Sequence, residues 1–591
     1  MHNRGQDGAG LAVIKSKVEA GNPYIYRIRN NQPNPWITLN KEIQKEYTDC
    51  CARFPDKIQD AEFLNFHFPW LGEIMMAHLR YGTHGGNSLE YCHPFIRHSN
   101  WRSKTLVMAG NFNLTNVDEL FDRLVKMGQH PRYLADTITV MEKVGHFLED
   151  ENDRILKELK PQGSPTREVY DQIESQIDLV RILQRASARW DGGYAMGGLI
   201  GTGDGFVARD PNGIRPAFYT IHEDYIAVAS ERPALATVFN IPIDSIEELL
   251  PGNMIWLKAN GEVTIQEFTT PAEKPSKCSF ERIYFSRGSD PDIYVERKAL
   301  GYQVVPKILK AIQQDLPNTV FSYVPNTSET AFLGMMKGLE DFLTQWKIEQ
   351  IQHAVKPLTA EALQGILEVR TRVEKVIIKD VKLRTFIADD ANRNEMAAHV
   401  YDVTYGVLRE GLDTIVCIDD SIVRGTTIRQ SILAMLARLK PKKIVMVSSA
   451  PQIRYPDCYG IDMSQIGRFV AFEAAISLIK ERGMDSLLQQ VYQECLSRQE
   501  AGTFKERNVV KDIYQPFTAE EISARISQLL TPLGLPCEFE VVFPDLEDLH
   551  LAIPNHMGDW YFSGNYPTPG GNKVVNQAFM NYMTGNQNRA Y

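Results

Sequence analysis

"LDTIVCIDDSIVRGTT", residues 412–427, decides the fold. Leu412 to Ile418 reads as an apolar run that suits a buried parallel strand. It ends in Asp419-Asp420. A short loop follows, Ser421 to Thr427, then a helix with Ile428, Ile432, Met435, Leu436 and Leu439 on one face. The next strand is Ile444 to Val447. Ligands of an open α/β sheet bind beyond the carboxyl ends of its strands. The loop offers backbone N–H groups, the hydroxyls of Ser421, Thr426 and Thr427, and a helix N-terminus, all of which favour a phosphate. Gly425 lets the backbone approach closely. Two carboxylates just before such a loop would repel the phosphate itself. They suit hydroxyl groups, a cation or developing positive charge, and a sugar phosphate meets that description. An acidic pair alone is usually a solvated turn; the order of strand, pair, small polar loop and helix is what is specific. No GK[ST] is present, so this is not a Walker loop.

The rest of the chain extends that grammar. From about residue 300, apolar runs alternate with amphipathic helices, as in "NTVFSYVP" and "KIVMVSSAP", which implies a mainly parallel sheet. Residues 1–270 differ: short β-like runs and Gly/Asn turns, with a helical interruption near 117–185, read as an α+β domain with antiparallel sheets. "TTPAEKPSK" (269–277) is a linker candidate. The expected organisation is one domain over 1–270, a second over 278–500 with a polar helical insertion near 340–380, and a C-terminal extension over 501–591. The composition, 43% hydrophobic and 23% charged in 591 residues, is that of a soluble globular protein of several domains. A formal charge of −10 argues against a general nucleic-acid binder. No secretory signal and no apolar run of membrane-spanning length is expected. The eight cysteines show no CxxC and read as reduced thiols of a cytoplasmic protein.

"VCIDDSIVRGTT" resembles the phosphoribosyl-pyrophosphate (PRPP) signature of type I phosphoribosyltransferases. The resemblance implies that Asp419 and Asp420 hold the ribose, while Ser421, Val423, Arg424, Gly425, Thr426 and Thr427 cradle the 5′-phosphate. Further stretches are similar to the glutamine PRPP amidotransferase family: "CSFERIYFSRGSDPDIYVERKALG" (278–301), "VPNTSETA" (324–331), "LRTFI" (383–387) and "YGIDM" (459–463). Ser328 is then a candidate magnesium ligand beside Asp419 and Asp420, and Arg384 a lid residue that meets pyrophosphate. In the N-terminal half, "HNRGQDGAG", "HLRYGTHGG", "GNFNLTN", "ADT", "RDPNGIRP" and "ASERPAL" resemble a class II glutamine amidotransferase domain in the family's order. The implied fold is an α+β N-terminal-nucleophile-type domain, with antiparallel sheets stacked between helices, joined to an α/β phosphoribosyltransferase domain.

The family's glutamine site implies Arg80 for the substrate carboxylate and Asp136 for its ammonium. Asn111 and the Phe112 backbone N–H would form an oxyanion hole, and Arg4 would frame the nucleophile. Phe112 stands where the family has glycine. The implied reaction replaces the pyrophosphate of PRPP with ammonia from glutamine. Mg²⁺ is the implied cofactor, purine nucleotides are candidate feedback inhibitors, and a homo-oligomer is expected. Some relatives carry an iron–sulfur cluster on cysteines, the last two in a C-terminal CxxC. With no cysteine after Cys537, Cys278 and Cys458 are expected to be structural thiols and no cluster is expected. Class II amidotransferases use an N-terminal cysteine, and none precedes Cys50 here. The sequence as written is therefore expected to be truncated at its start, with the glutaminase step doubtful. An ammonia-only transferase and a non-catalytic PRPP sensor remain the alternatives.

Overall fold

The computed structural model describes residues 5–82, 88–131, 133, 135–160, 166–354, 357–379, 401–460 and 463–590. Among them the strands fall into five sheets.

β1 (Gly8–Ile14), β2 (Ile25–Asn30) and β3 (Ile74–Arg80) form an antiparallel sheet in the order β2-β1-β3. A second antiparallel sheet contains β4 (Phe95–Arg97), β5 (Leu106–Leu114), β6 (Gly192–Ile200) and β7 (Gly205–Arg209). A small sheet of β8 (Phe218–Ile221), β9 (Ile226–Ala229) and β10 (Glu247–Glu248) follows. β11 (Asn253–Leu257) and β12 (Val263–Glu267) then complete the second sheet, in the order β12-β11-β7-β6-β5-β4.

Alternation along β5 explains the layering. Val107 points to Ala12, Ile14 and Leu199, between the two sheets. Its neighbours Leu106 and Met108 point the other way, into the core shared with Ile138, Met141, Val144 and Leu148 of the helix Asp136–Leu159. The helix Pro35–Arg53 packs on β1 and β2 from the opposite side. Two stacked antiparallel sheets between helices is the architecture expected for this half.

The second half is built on β13 (Thr319–Tyr323), β14 (Arg372–Val373), β17 (Thr414–Asp419), β18 (Lys443–Ser448) and β19 (Glu538–Val542), in the order β14-β13-β17-β18-β19, every pair parallel. β15 (Ile377–Lys379) and β16 (Tyr401–Val403) pair as a separate antiparallel ribbon. Helices cover both faces: Phe321, Val416, Ile418 and Val445 face one core, Val320, Ile415, Cys417 and Ile444 the other. β17 is central, so its carboxyl end opens at the middle of the sheet edge.

Part of the polar 340–380 stretch continues the helix Glu329–His353, and a second helix, Ala360–Glu368, follows. Residues 501–591 are more than an appendage. They supply β19, and Trp560, Tyr561, Val574 and Phe579 lie buried in the core that also holds Ile432 and Ile444. No described helix is long and apolar enough to cross a membrane.

Two candidate sites across one interface

β17 starts later than the apolar stretch predicts, because Leu412 is exposed and Asp413 is paired with Arg372 and Arg409; Ile415 to Ile418 are fully buried, and the strand ends at Asp419. The acidic pair is folded into a tight turn. Asp420 N–H donates to Asp419 Oδ1 at 2.9 Å, and Ser421 Oγ donates to Asp420 Oδ1 at 3.2 Å. Ser449, just past the end of β18, holds the turn from outside: its N–H donates to the Asp419 carbonyl at 2.8 Å and its Oγ to the Asp420 carbonyl at 3.1 Å. Burial, and then the charge of Asp420, push the Asp419 carboxyl well above the usual carboxylate range; Lys379 pulls the other way. A half-buried carboxylate facing a second one favours a cation or hydroxyl donors nearby.

Val423 to Gly425 complete the loop, and helical structure begins at Thr426, with a π turn over Ile428–Ile432. Val423 is fixed by its carbonyl, which accepts from Val470 N–H at 3.0 Å. Gly425 has φ +67°, and a Cβ there would lie 2.4 Å from Leu530 Cδ2. Gly425→Ala therefore carries both left-handed strain and a clash. It is expected to cost about 1–3 kcal/mol, read from urea unfolding.

Ser328, expected as a magnesium ligand, begins the helix Glu329–His353 but is 1% exposed, and its Oγ donates to the Val324 carbonyl. Among the described residues no group of three or more His, Cys, Asp or Glu side chains gathers as a metal site. A divalent cation here would rest on the Asp419–Asp420 carboxylates and on its ligand's own phosphates, the pattern Mg²⁺ commonly takes. Arg384 lies outside the described residues, as does Arg4.

In the other half, hydrogen bonds tie together the two strands and the helix that carry Arg80, Asn111, Phe112 and Asp136. Arg80 ends β3, buried, with its guanidinium 5.9 Å from the Tyr91 ring. Two residues earlier, His78 Nε2 bonds the Gly110 carbonyl on β5 at 3.1 Å. Asn111 and Phe112 follow Gly110, opposite Ala195 and Tyr194 in the β5–β6 ladder. Asp136 opens its helix and accepts from Leu114 N–H at 3.3 Å. Burial raises the Asp136 carboxyl to about 6. The neutral acid is therefore favoured in the fold. That stabilisation is fully present below the ordinary carboxyl value of about 3.9 and is lost as pH rises through about 6.

The two halves meet at Cys458–Gly460. Asn113 Nδ2 on β5 donates to the Cys458 carbonyl at 2.6 Å. Arg215 Nε donates to the Tyr459 carbonyl at 2.8 Å, and its Nη1 pairs with Glu281 at 3.0 Å. A Cβ on Gly460 would lie 3.5 Å from Asn111 Oδ1, so Asn111 borders the loop of the other half. Burial opposes the Arg215 charge, but Glu281 and Asp457 outweigh it and keep the guanidinium charged. Cys278 also lies buried, its Sγ 3.4 Å from the Tyr561 hydroxyl, and burial pushes its thiol up to about 12.

No protein-family model matches the chain. Curated relatives do. It is 29% identical over 506 residues to an amidophosphoribosyltransferase of Pasteurella multocida, covering 83% of this chain and 82% of that one. It is 27% identical over 509 residues to that of Escherichia coli, with the same coverage, and 27% identical over 489 residues to that of Saccharomyces cerevisiae, covering 80% and 78%. The chain is a homologue of the amidophosphoribosyltransferases. The fold agrees: the solved glutamine PRPP amidotransferase of B. subtilis, complexed with ADP and GMP, matches with a TM-score of 0.56 at 22% identity, over 96% of this chain and 92% of that one.

Within this amidophosphoribosyltransferase-like frame, sequence reading missed Ser449, Lys379, His78 and Arg215. His78, Ser449 and Arg215 stood inside quoted stretches, but their contacts run to residues far along the chain, which no local pattern encodes.

Proposed function

We propose that this protein transfers ammonia released from glutamine to C1 of PRPP, giving 5-phosphoribosylamine, pyrophosphate and glutamate. One observation carries the reading most directly. The acidic turn and phosphate-type loop lie at the carboxyl ends of β17 and β18, and the chain that follows β18 is bonded through Cys458 to the strand carrying Asn111. Two candidate sites joined by one bonded segment suit an unstable intermediate passed within the protein. Free ammonium in water is protonated and not nucleophilic.

In this reading Asp419 and Asp420 accept from the ribose hydroxyls. Ser421, Thr426, Thr427 and the N–H groups of Val423 to Gly425 hold the 5′-phosphate, and Arg424 adds positive charge. Arg384 meets the departing pyrophosphate. Asp419 and Asp420 would hold Mg²⁺, which when bound neutralises charge on pyrophosphate; Ser328 reaches that set only if the turn that buries it opens. Arg80 takes the glutamine carboxylate, Asp136 its ammonium, Asn111 and the Phe112 N–H the oxyanion, and Arg4 frames the attacking group. The step follows from substitution at C1: the bond from C1 to the pyrophosphate oxygen breaks, the electron pair leaves with pyrophosphate, ammonia supplies the new pair, and the ammonium so formed on C1 gives one proton to water to leave the amine.

Purine nucleotides are proposed as feedback inhibitors, in line with the ADP and GMP of the B. subtilis structure. A cytoplasmic homo-oligomer belongs to the same proposal; eight free cysteines fit a reducing compartment.

Pyrophosphate release from PRPP with Mg²⁺, using glutamine or ammonium as donor, tests the reading. Release with either donor supports transferase chemistry. Release with ammonium alone removes the glutamine half, and release with neither overturns the whole. The Asp136 assignment has its own signature. A glutamine ammonium needs the carboxylate, so below about pH 6 each bound glutamine must displace a proton. Glutamine affinity by calorimetry is expected to fall about tenfold per pH unit below that point. In Asp136→Asn it should be weak and flat with pH.

A further inference from the structure

One side chain that the proposed mechanism does not use links the pieces of the glutamine site. His93 Nδ1 accepts from Gly110 N–H at 3.3 Å, and its Nε2 lies 3.2 Å from Thr137 Oγ1. Gly110 immediately precedes Asn111 on β5, and Thr137 immediately follows Asp136 at its helix start. The His93 ring also stacks on His78, with centroids 4.3 Å apart and planes at 20°. His78 sits two residues before Arg80 on β3 and bonds the Gly110 carbonyl at 3.1 Å. Both polar groups of the Gly110 peptide are thus held by imidazole, one ring on each.

The bonding fixes the tautomers. A Gly110 N–H aimed at His93 Nδ1 requires a lone pair there, so Nε2 carries the proton and donates to Thr137 Oγ1. His78 donates through Nε2. Both rings are neutral: burial lowers His78 to about 4 and His93 well below the usual histidine value. The backbone around His93 is seated too, because a Cβ on Gly10 of β1 would lie 2.0 Å from the His93 carbonyl oxygen. The second glycine of "GAG" is what lets the chain lie on β1 at that point.

We infer that His93 is a positioning residue of the glutamine site, setting the spacing between the Asn111 strand and the Asp136 helix start through one imidazole with two bonds. This rests on the glutamine site proposed above. It predicts a requirement for two-ended hydrogen bonding, and not merely for a ring of that size.

His93→Phe keeps the aromatic volume and removes both bonds. It is expected to weaken glutamine binding about tenfold or more by calorimetry, with ammonium-dependent pyrophosphate release changed less than about twofold. His93→Gln, which can accept from Gly110 and donate to Thr137, is expected to recover binding to within about threefold. Thr137→Val removes one end of the link without touching the stack and should weaken binding by about three- to fivefold. It keeps the test standing if His93→Phe does not fold. Coupling is the sharper readout. His93→Phe and Asp136→Asn should be non-additive in a double-mutant cycle, whereas a general packing role predicts additivity. Wild-type affinity in folded His93→Phe, or in Thr137→Val if the former does not fold, overturns the inference alone. A wild-type protein that binds no glutamine overturns it together with the site on which it rests.

Discussion

Asp420→Asn is expected to lower ammonium-dependent pyrophosphate release from PRPP by about 10²–10³-fold, the size typical of removing one preorganised electrostatic contact. Asp420 shares its turn with a carboxyl that burial and Asp420 itself already push upward. Neutralising Asp420 removes a repulsion inside the empty protein and an acceptor from the bound one. The two effects have opposite signs, and that makes the prediction sharp. The variant should be no less stable than wild type in thermal unfolding, and more stable if the repulsion dominates, while its activity collapses. A folded variant with more than about a tenth of wild-type release would remove the acidic pair from the chemistry.

The second large effect concerns stability. Arg215→Leu leaves Glu281 buried at 3% exposure with its cation gone. Breaking a buried pair from one side costs about 3–5 kcal/mol, and here the Tyr459 carbonyl also loses its guanidinium donor. Removing both charges, in Arg215→Leu/Glu281→Leu, should recover part of that loss, because the uncompensated charge is the larger component. Urea unfolding followed by fluorescence measures both. A loss near or below about 1 kcal/mol for the single variant would show that the pair is replaced by water.

Legibility followed the range of the interactions. The segment from Leu412 to Val447 was read nearly residue by residue, since an apolar strand, a small polar loop and a helical stripe each leave a local pattern. Ile428, Ile432, Met435, Leu436 and Leu439 are all buried as that stripe requires. The antiparallel half was legible as a class from its short runs and turns. The span of the parallel sheet was less so: "EFEVV" at 538–542 is short and alternating, with no sign that it would lie beside β18. His93 was invisible for a different reason. Its partners are 17 and 44 residues away, on elements whose juxtaposition only the folded chain defines. Ser328 shows the reverse, a residue type suited to a ligand but folded inward onto its own turn.

The place of β19 has a consequence for how the molecule is made. β18 leaves the ribosome well before the strand that covers its edge, separated by the helices and loops from Ser449 to Cys537. At a synthesis rate of about 5–20 residues per second, the delay is on the order of several seconds. Throughout it, the nascent sheet presents an open, apolar flank with unpaired amides. That interval is when a chaperone, or the same strand of a neighbouring nascent chain, has its best opportunity to bind.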